Sequence, residues 1–403
     1  MLEHGGPQHP LQCPRHRLVD PWDARHGASL PDPGRPRSRP PQVRVVQDGW
    51  VTDAKQRTEN DAVPGHEAPV EGLPPGWSTR PPDLTDLDAL VALRSADKRP
   101  FTGSSVDREA IESELVGTAS WTRRHLLAVD PAGVPRAWIV VHDRAAGRTM
   151  VFLYLDRSVA DQDVVAARMY AWGEDRGRDI CVMRGIDGTR LDASPFADDD
   201  LQREWLAAAG YEMRRTWPQM TRPVLPEEAT SLPPPREGVT VRRVAAHENG
   251  LPVAADLHLV HEILESSFED HFNSYRESFP EFVQRLREDP GHRWDHWWLA
   301  FVDTDSRPLA AGTVVSSVLS ANEDGKEGSY IDYIGVHRHA RGRGVAKALL
   351  HTVIADAAER GRDRVGLEVD ADSPTGADEL YRSMGWTTKY VIESWFKEIG
   401  AGR

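Results

Sequence analysis

Arg341-Gly342-Arg343-Gly344 sets two arginines and two glycines in alternation, and Val345-Ala346-Lys347 follows without a break. Residues 329–336 come before it and read as a strand; Val345, Leu349, Val353 and Ala357 then fall on one face of a helix. Glycine has no Cβ, so the backbone between these elements can fold into a cup. Successive amide N–H groups then point into the cup at a helix N-terminus, where hydrogen bonds and the positive dipole end suit a pyrophosphate. Arg341 and Arg343 add charge that a phosphate would meet favourably. A dinucleotide site fits poorly: Gly342-x-Gly344-x-x-Lys347 lacks the third glycine, and residues 337–340 separate the strand from the first. The plain alternative is a glycine turn with no ligand.

Ile334-Gly335-Val336 followed by Arg341-Gly342-Arg343-Gly344-Val345-Ala346 resembles the signature of the GNAT N-acetyltransferases, [QR]-x-x-G-x-[GA]. Downstream, Glu379-Leu380-Tyr381-Arg382-Ser383-Met384-Gly385-Trp386 resembles that family's L-Y-x-x-x-G-[FW] ending. The resemblance is strong over residues 238–400 and weak over 76–230. It implies acetyl-CoA as co-substrate, with backbone groups of Ile334, Gly335 and Val336 pairing with the pantetheine arm. It implies that amides from Gly342 through Gly344, Val345 and Ala346 to Lys347 hold the pyrophosphate, and that Tyr381 protonates the departing thiolate. Ser373 stands where the family often has an asparagine that contacts the coenzyme. The two-lobed layout resembles tandem GNAT proteins such as mycothiol synthase, a likeness that assigns no substrate. The fold expected is α/β (α+β): two tandem GNAT-like domains, each a mixed, mostly antiparallel sheet flanked by helices.

Acetyl transfer to an amine makes demands that can be assigned to residues. An alkylamine with a pKa of about 10.4 is only about 0.1% neutral at pH 7, a deficit of roughly 4 kcal/mol. A carboxylate near the nucleophile removes that proton. Asp332 is the first candidate, placed by a period of 2 on the same side of its strand as Ile334 and Val336; Glu368 on the neighbouring strand is the second. A backbone N–H near Ile334 or Gly335 would stabilise the oxyanion by about 3 kcal/mol, and Gly335 would relieve crowding at a kink or bulge. The thiolate leaves with a pKa of about 8.5 and is helped by the Tyr381 hydroxyl. No cysteine stands near the motif, so direct transfer in a ternary complex is expected.

The positioning elements come in two similar sets. Strands are expected over 125–129, 137–141, 150–155 and 180–183, with helices over 84–93, 107–115, 164–177 and 201–210. In the second set, strands are expected over 239–244, 297–302, 309–318, 329–336, 364–369 and 387–396, and helices over 254–268, 279–288, 345–360 and 375–384. Residues 204–211 echo residues 379–386 and suggest a tandem duplication. The first copy has Leu206 in the place of Tyr381, and after Asp156 it carries Asp161 and Asp163 in place of a glycine cup. It is expected to bind no coenzyme, and to support the second half or wall the acceptor pocket. The boundaries read as 1–75, proline-rich and disordered, with 13 of the 30 prolines; 76–225, a degenerate GNAT-like domain; 226–237, a linker; and 238–400, the catalytic domain.

The chain's 403 residues carry a net charge of −14 (49 basic against 63 acidic), which disfavours nucleic acid and anionic lipid as partners. Glu368, Asp370 and Asp372 suit a cationic acceptor. No apolar run reaches the length of a membrane span, and two cysteines exclude a disulfide framework, so a cytoplasmic location is expected. His292-x-x-x-His296 with Asp295 has zinc-like spacing but reads as a loop and strand start, and no metal is expected. Glu269-Asp270-His271-Phe272 reads as a helix end beside the acceptor, and Cys181 as a buried strand residue. The function expected is acetyl transfer from acetyl-CoA to a primary amine of a small molecule. A non-catalytic acyl-CoA-binding module and a protein lysine or N-terminal acetyltransferase are the alternatives; assembly into homo-oligomers stays open.

Overall fold

Apolar residues that alternate or run unbroken build most of a single sheet in a computed structural model of the chain. The structure describes residues 70–102, 106–144, 147–268, 277–322, 324–373 and 376–401. Most of the proline-rich segment and the Glu269–Phe272 motif lie outside these residues.

The two halves run through one order of elements. The first has β1 (Ser78–Arg80), α1 (Leu87–Thr102), α2 (Arg108–Val116), β2 (Arg123–Val129), β3 (Pro135–Asp143), β4 (Arg148–Leu155), α3 (Gln162–Arg184), β5 (Gly188–Ala193), α4 (Asp200–Ala208) and β6 (Glu212–Pro223). A single turn, α5 (Glu228–Ser231), lies in the connection. The second has β7 (Val239–Arg243), α6 (Ala254–Ser267), α7 (Phe279–Arg287), β8 (His292–Val302), β9 (Leu309–Leu319), β10 (Gly328–Val336), α8 (Val345–Glu359), β11 (Arg364–Glu368), α9 (Ala377–Ser383) and β12 (Thr387–Gly400).

The strands are ordered β1-β2-β3-β4-β5-β12-β6-β11-β10-β9-β8-β7. Among the described residues, only β4 with β5 and β10 with β11 run parallel. The terminal strands are exchanged: β12 of the second half pairs with β5 of the first, and β6 of the first pairs with β11 of the second. β6 and β12 also pair with each other. Helices cover both faces. α8 packs Leu349, Leu350 and Val353 on Ile331, Val365 and Leu367 of one face; α6 and α7 pack Val260, Ile263 and Phe282 on Trp297 and Val315 of the other. Among the described residues, no helix is long and apolar enough to cross a membrane.

Residues 180–183 are not a strand. They form the last turn of α3, with Ile180 and Cys181 buried and Val182 and Met183 exposed, a helical rather than a two-residue period. Gly185, at φ +64°, ends that helix, and the Ile186 N–H reaches back to the Cys181 carbonyl at 3.0 Å. Cys181 is therefore a buried helix residue. The strands β5 and β6 carry weak local signals. β6 mixes charges with Pro218, which cannot donate to a neighbour. Its carbonyl nevertheless accepts the Val369 N–H at 3.2 Å.

Candidate active site

Between β10 and β11 the pairing is short: Ser329–Val365, Tyr330–Gly366 and Ile331–Leu367. Beyond Ile331 the chain of β11 continues along β6, with Ala371 N–H bonded to the Thr216 carbonyl, while β10 continues along β9 to Val336. Among the described residues, no strand pairs with the β11-facing edge of residues 332–336. That edge is a row of backbone donors and acceptors open to an extended ligand.

Asp332 is the extra residue of a bulge. The register against β9 shifts between Ile331, opposite Ser316, and Tyr333, opposite Val315. One inserted residue inverts the alternation beyond it. Ile331, Ile334 and Val336 accordingly pack on the α8 side, whereas Tyr333 packs with α6 and α7. Asp332 bonds Ser317 Oγ at 3.3 Å and lies near Asp289 and Arg285. It therefore faces away from Ile334 and Val336, contrary to the simple two-residue period. Burial and then the Asp289 carboxylate push its carboxyl up to about 8, against the pull of Ser317 and Arg285. The crowding at Gly335 has another source than the bulge: a Cβ there would lie 2.9 Å from Ser267 Oγ and 3.1 Å from Leu264, where α6 crosses the strand.

Leu367 faces α8, so Gly366 and Glu368 face the other side. Glu368, exposed at the end of β11, takes a hydrogen bond from Gln219 Nε2 at 2.9 Å, and Gln219 Oε1 accepts the Tyr330 hydroxyl at 3.0 Å. Asp332 and Glu368 thus share one face, and Tyr381 lies within the α8-side core. The Tyr381 ring is buried 6.0 Å from that of Trp386, and burial pushes its phenol up to about 12. It keeps its proton at neutral pH and can give it up only to a developing anion. Ser373, half-buried in the turn after β11, bonds the Asp370 carbonyl through its N–H at 3.1 Å.

The glycine turn takes the shape its residues allow. Gly342 and Gly344 have φ of +79° and +85°, in the left-handed region where a Cβ is strained. Gly344 caps α8 with no side-chain hydrogen bond to the first turn, so the helix presents bare N–H groups there. Arg341, Gly342, Arg343 and Lys347 are exposed, Ala346 is half-buried and Val345 is in the core. Arg236 was not singled out from sequence. It comes from the stretch joining the halves, bonds the Gly342 carbonyl at 3.4 Å and lies where a Cβ on Gly344 would come within 2.8 Å of it. Its only signal is a lone cation after three prolines.

His292 and His296 both lie in β8; His296 Nδ1 is 2.7 Å from Asp295, which also receives Arg360 at 2.9 Å. Among the described residues, no group of three or more His, Cys, Asp or Glu is placed to hold a metal.

Residues 258–386 match the model of the acetyltransferase (GNAT) family. A curated protein of Methanocaldococcus jannaschii, named as an uncharacterized N-acetyltransferase, is 28% identical over 144 residues, which cover 34% of this chain and 62% of that protein. The chain thus spans about three fifths of that relative's length. A GCN5-related N-acetyltransferase from Sphaerobacter thermophilus superposes with a TM-score of 0.60 at 26% identity, covering 82% of this chain and 98% of that one. A tandem GNAT protein from the clavulanic acid biosynthesis pathway superposes at 0.57, with 12% identity and coverage of 81% and 99%, a likeness of fold. The chain carries a GNAT acetyltransferase domain, and its fold is that of tandem GNAT proteins.

Proposed function

We propose that the protein transfers an acetyl group from acetyl-CoA to a primary amine of a small molecule, by direct attack in a ternary complex. One observation supports this most: β10 parts from β11 at a bulge and, a few residues later, enters an uncapped, cation-rimmed glycine turn. The open edge suits an extended amide-bearing arm, and the turn suits a pyrophosphate. Acetyl-CoA, when bound, supplies an activated thioester.

The chain's own residues divide the remaining work. Asp332 and Glu368 face the side from which an amine would enter and take its proton as the N–C bond forms. The Asp332 carboxyl, pushed up to about 8 by burial and the Asp289 carboxylate, suits that task. From the α8 side, Tyr381 gives a proton to the sulfur as the C–S bond breaks. A backbone N–H near Ile334 or Gly335 would stabilise the oxyanion. Arg236, Arg341, Arg343 and Lys347 surround the phosphate end. Among the described residues the first half has no glycine turn between β4 and α3, and it carries no coenzyme.

The test is thiol release with acetyl-CoA across a panel of amino sugars, polyamines, aminoglycosides and peptides, followed by the mass of the product. Steady release with a small amine, giving a product 42 mass units heavier (about the mass an acetyl group adds), is expected. Coenzyme binding without turnover would point to a non-catalytic module, and turnover on peptide amines alone to a protein acetyltransferase.

A further inference from the structure

Gln219 sits on β6, the strand that the first half lends to the second, directly opposite Glu368. It is 7% exposed and held at both ends, giving its amide N–H to Glu368 and accepting from Tyr330. The amide N–H points at a carboxyl oxygen of Glu368, which leaves the amide oxygen to accept from the phenol. Tyr330 and Gln219 lie two strands apart, on either side of β11. Gly366 makes their contact possible, since a Cβ there would lie 3.1 Å from Tyr330 Cδ2. The ring crosses β11 over the glycine to reach the amide.

From this geometry we propose that Gln219 is a positioning residue for acetyl transfer, fixing the Glu368 carboxylate at the opening between β10 and β11. The inference rests on the transfer reading above. It makes the active site composite. Glu368 is exposed, and an exposed glutamate left to itself samples several rotamers. The bond from Gln219 selects one of them and leaves the other oxygen for the incoming amine. The first half is then part of the catalytic machinery through a strand that belongs to it only in sequence.

Four forms of the full chain decide this: wild type, Gln219→Leu, Glu368→Gln and the double variant, each assayed for kcat and for KM of both substrates. We expect Gln219→Leu to lower kcat about fivefold to tenfold, with the acetyl-CoA KM within about twofold, and to have no further effect once Glu368 is Gln. Equal losses in both backgrounds, or none in Gln219→Leu, would overturn the proposal. If Gln219→Leu does not fold, Tyr330→Phe, which removes one hydroxyl, takes its place. A loss of about twofold to threefold that vanishes beside Glu368→Gln supports the proposal; a loss that persists there overturns it. A wild type that binds acetyl-CoA and acetylates no amine refutes the transfer reading itself, an outcome distinct from a working enzyme indifferent to Gln219.

Discussion

The path from β4 to α3 and the path from β10 to α8 occupy matching places in the two halves, and they differ at every point that matters for chemistry. β4 pairs with β3 without a register shift, whereas β10 bulges at Asp332. After β4 comes Asp156, which accepts the Ser158 N–H at 2.9 Å and Arg136 at 2.6 Å. After β10 come two left-handed glycines and an uncapped helix. In α4 the place of Tyr381 is held by the fully buried Leu206. Where a carboxylate sits in one half, the other has open amides and cations. The topology is thus a scaffold that either half can build, and the site is a small set of departures from its regularity.

The comparison would weaken if the halves behaved as separate bodies, and the strongest expected effect bears on that. Glu288, at the end of α7, is buried against the first half: Thr122 at 2.9 Å, Arg123 at 2.8 Å and His142 at 3.1 Å. Burial alone would raise its carboxyl, but His142 and Arg123 outweigh that and hold it at about 2. Because the folded value is depressed, this stability is present above the usual glutamate range and is lost as pH falls towards 2. Glu288→Ala should cost about 3–5 kcal/mol in urea unfolding at pH 7, by leaving buried Arg123 unpaired, and less at pH 3. An unchanged midpoint would mean that the halves do not depend on this contact.

Next in size is the contrast between Tyr381 and Leu206. Tyr381→Phe should lower kcat about a hundredfold with acetyl-CoA affinity nearly intact. Leu206→Ala should cost about 2–5 kcal/mol of stability with kcat retained in the folded protein. Equal turnover in Tyr381→Phe and wild type would remove the tyrosine from the chemistry.

A smaller effect separates the two turns. Gly344→Val forces a β-branched residue to φ +85° and into Arg236, and should weaken acetyl-CoA binding about tenfold or more. Asp156→Ala in the first half should leave calorimetric affinity unchanged. Two coenzyme equivalents per chain would erase the difference between the halves.

The smallest effect concerns Asp332. Its folded carboxyl is raised, so the folded chain holds a proton that the unfolded chain releases, and stability falls as pH climbs from about 4 to about 8. Asp332→Asn does not titrate, so its melting temperature should exceed that of wild type by a few degrees more at pH 8 than at pH 5, about the scale of a modest stability change. If Asp332 takes the amine's proton, the same variant also loses an acid limb near pH 8 in kcat/KM.

Much of this was legible because it is local. The glycine turn, the helix after it and Tyr381 with its Gly385-Trp386 ending are written within short windows, where one residue's conformation restricts the next. What escaped is non-local. The exchange of β6 and β12 is a choice of partner, and a strand of Glu212-Met213-Arg214-Arg215 with a proline six residues after its start gives no hint of one. The bulge at Asp332 depends on register with β9, so period counting put the carboxylate on the wrong face. Gln219 and Arg236 join the site from beyond the motif that names it, brought there by pairing and by the chain's return path.

Calorimetry of the full chain with acetyl-CoA, wild type beside Gly344→Val, tests the central claim most directly. One equivalent bound by the wild type, with affinity lost by about tenfold or more in the variant, is the result the geometry requires. No heat at millimolar ligand, or binding indifferent to Gly344, would mean that the turn before α8 does not hold the coenzyme.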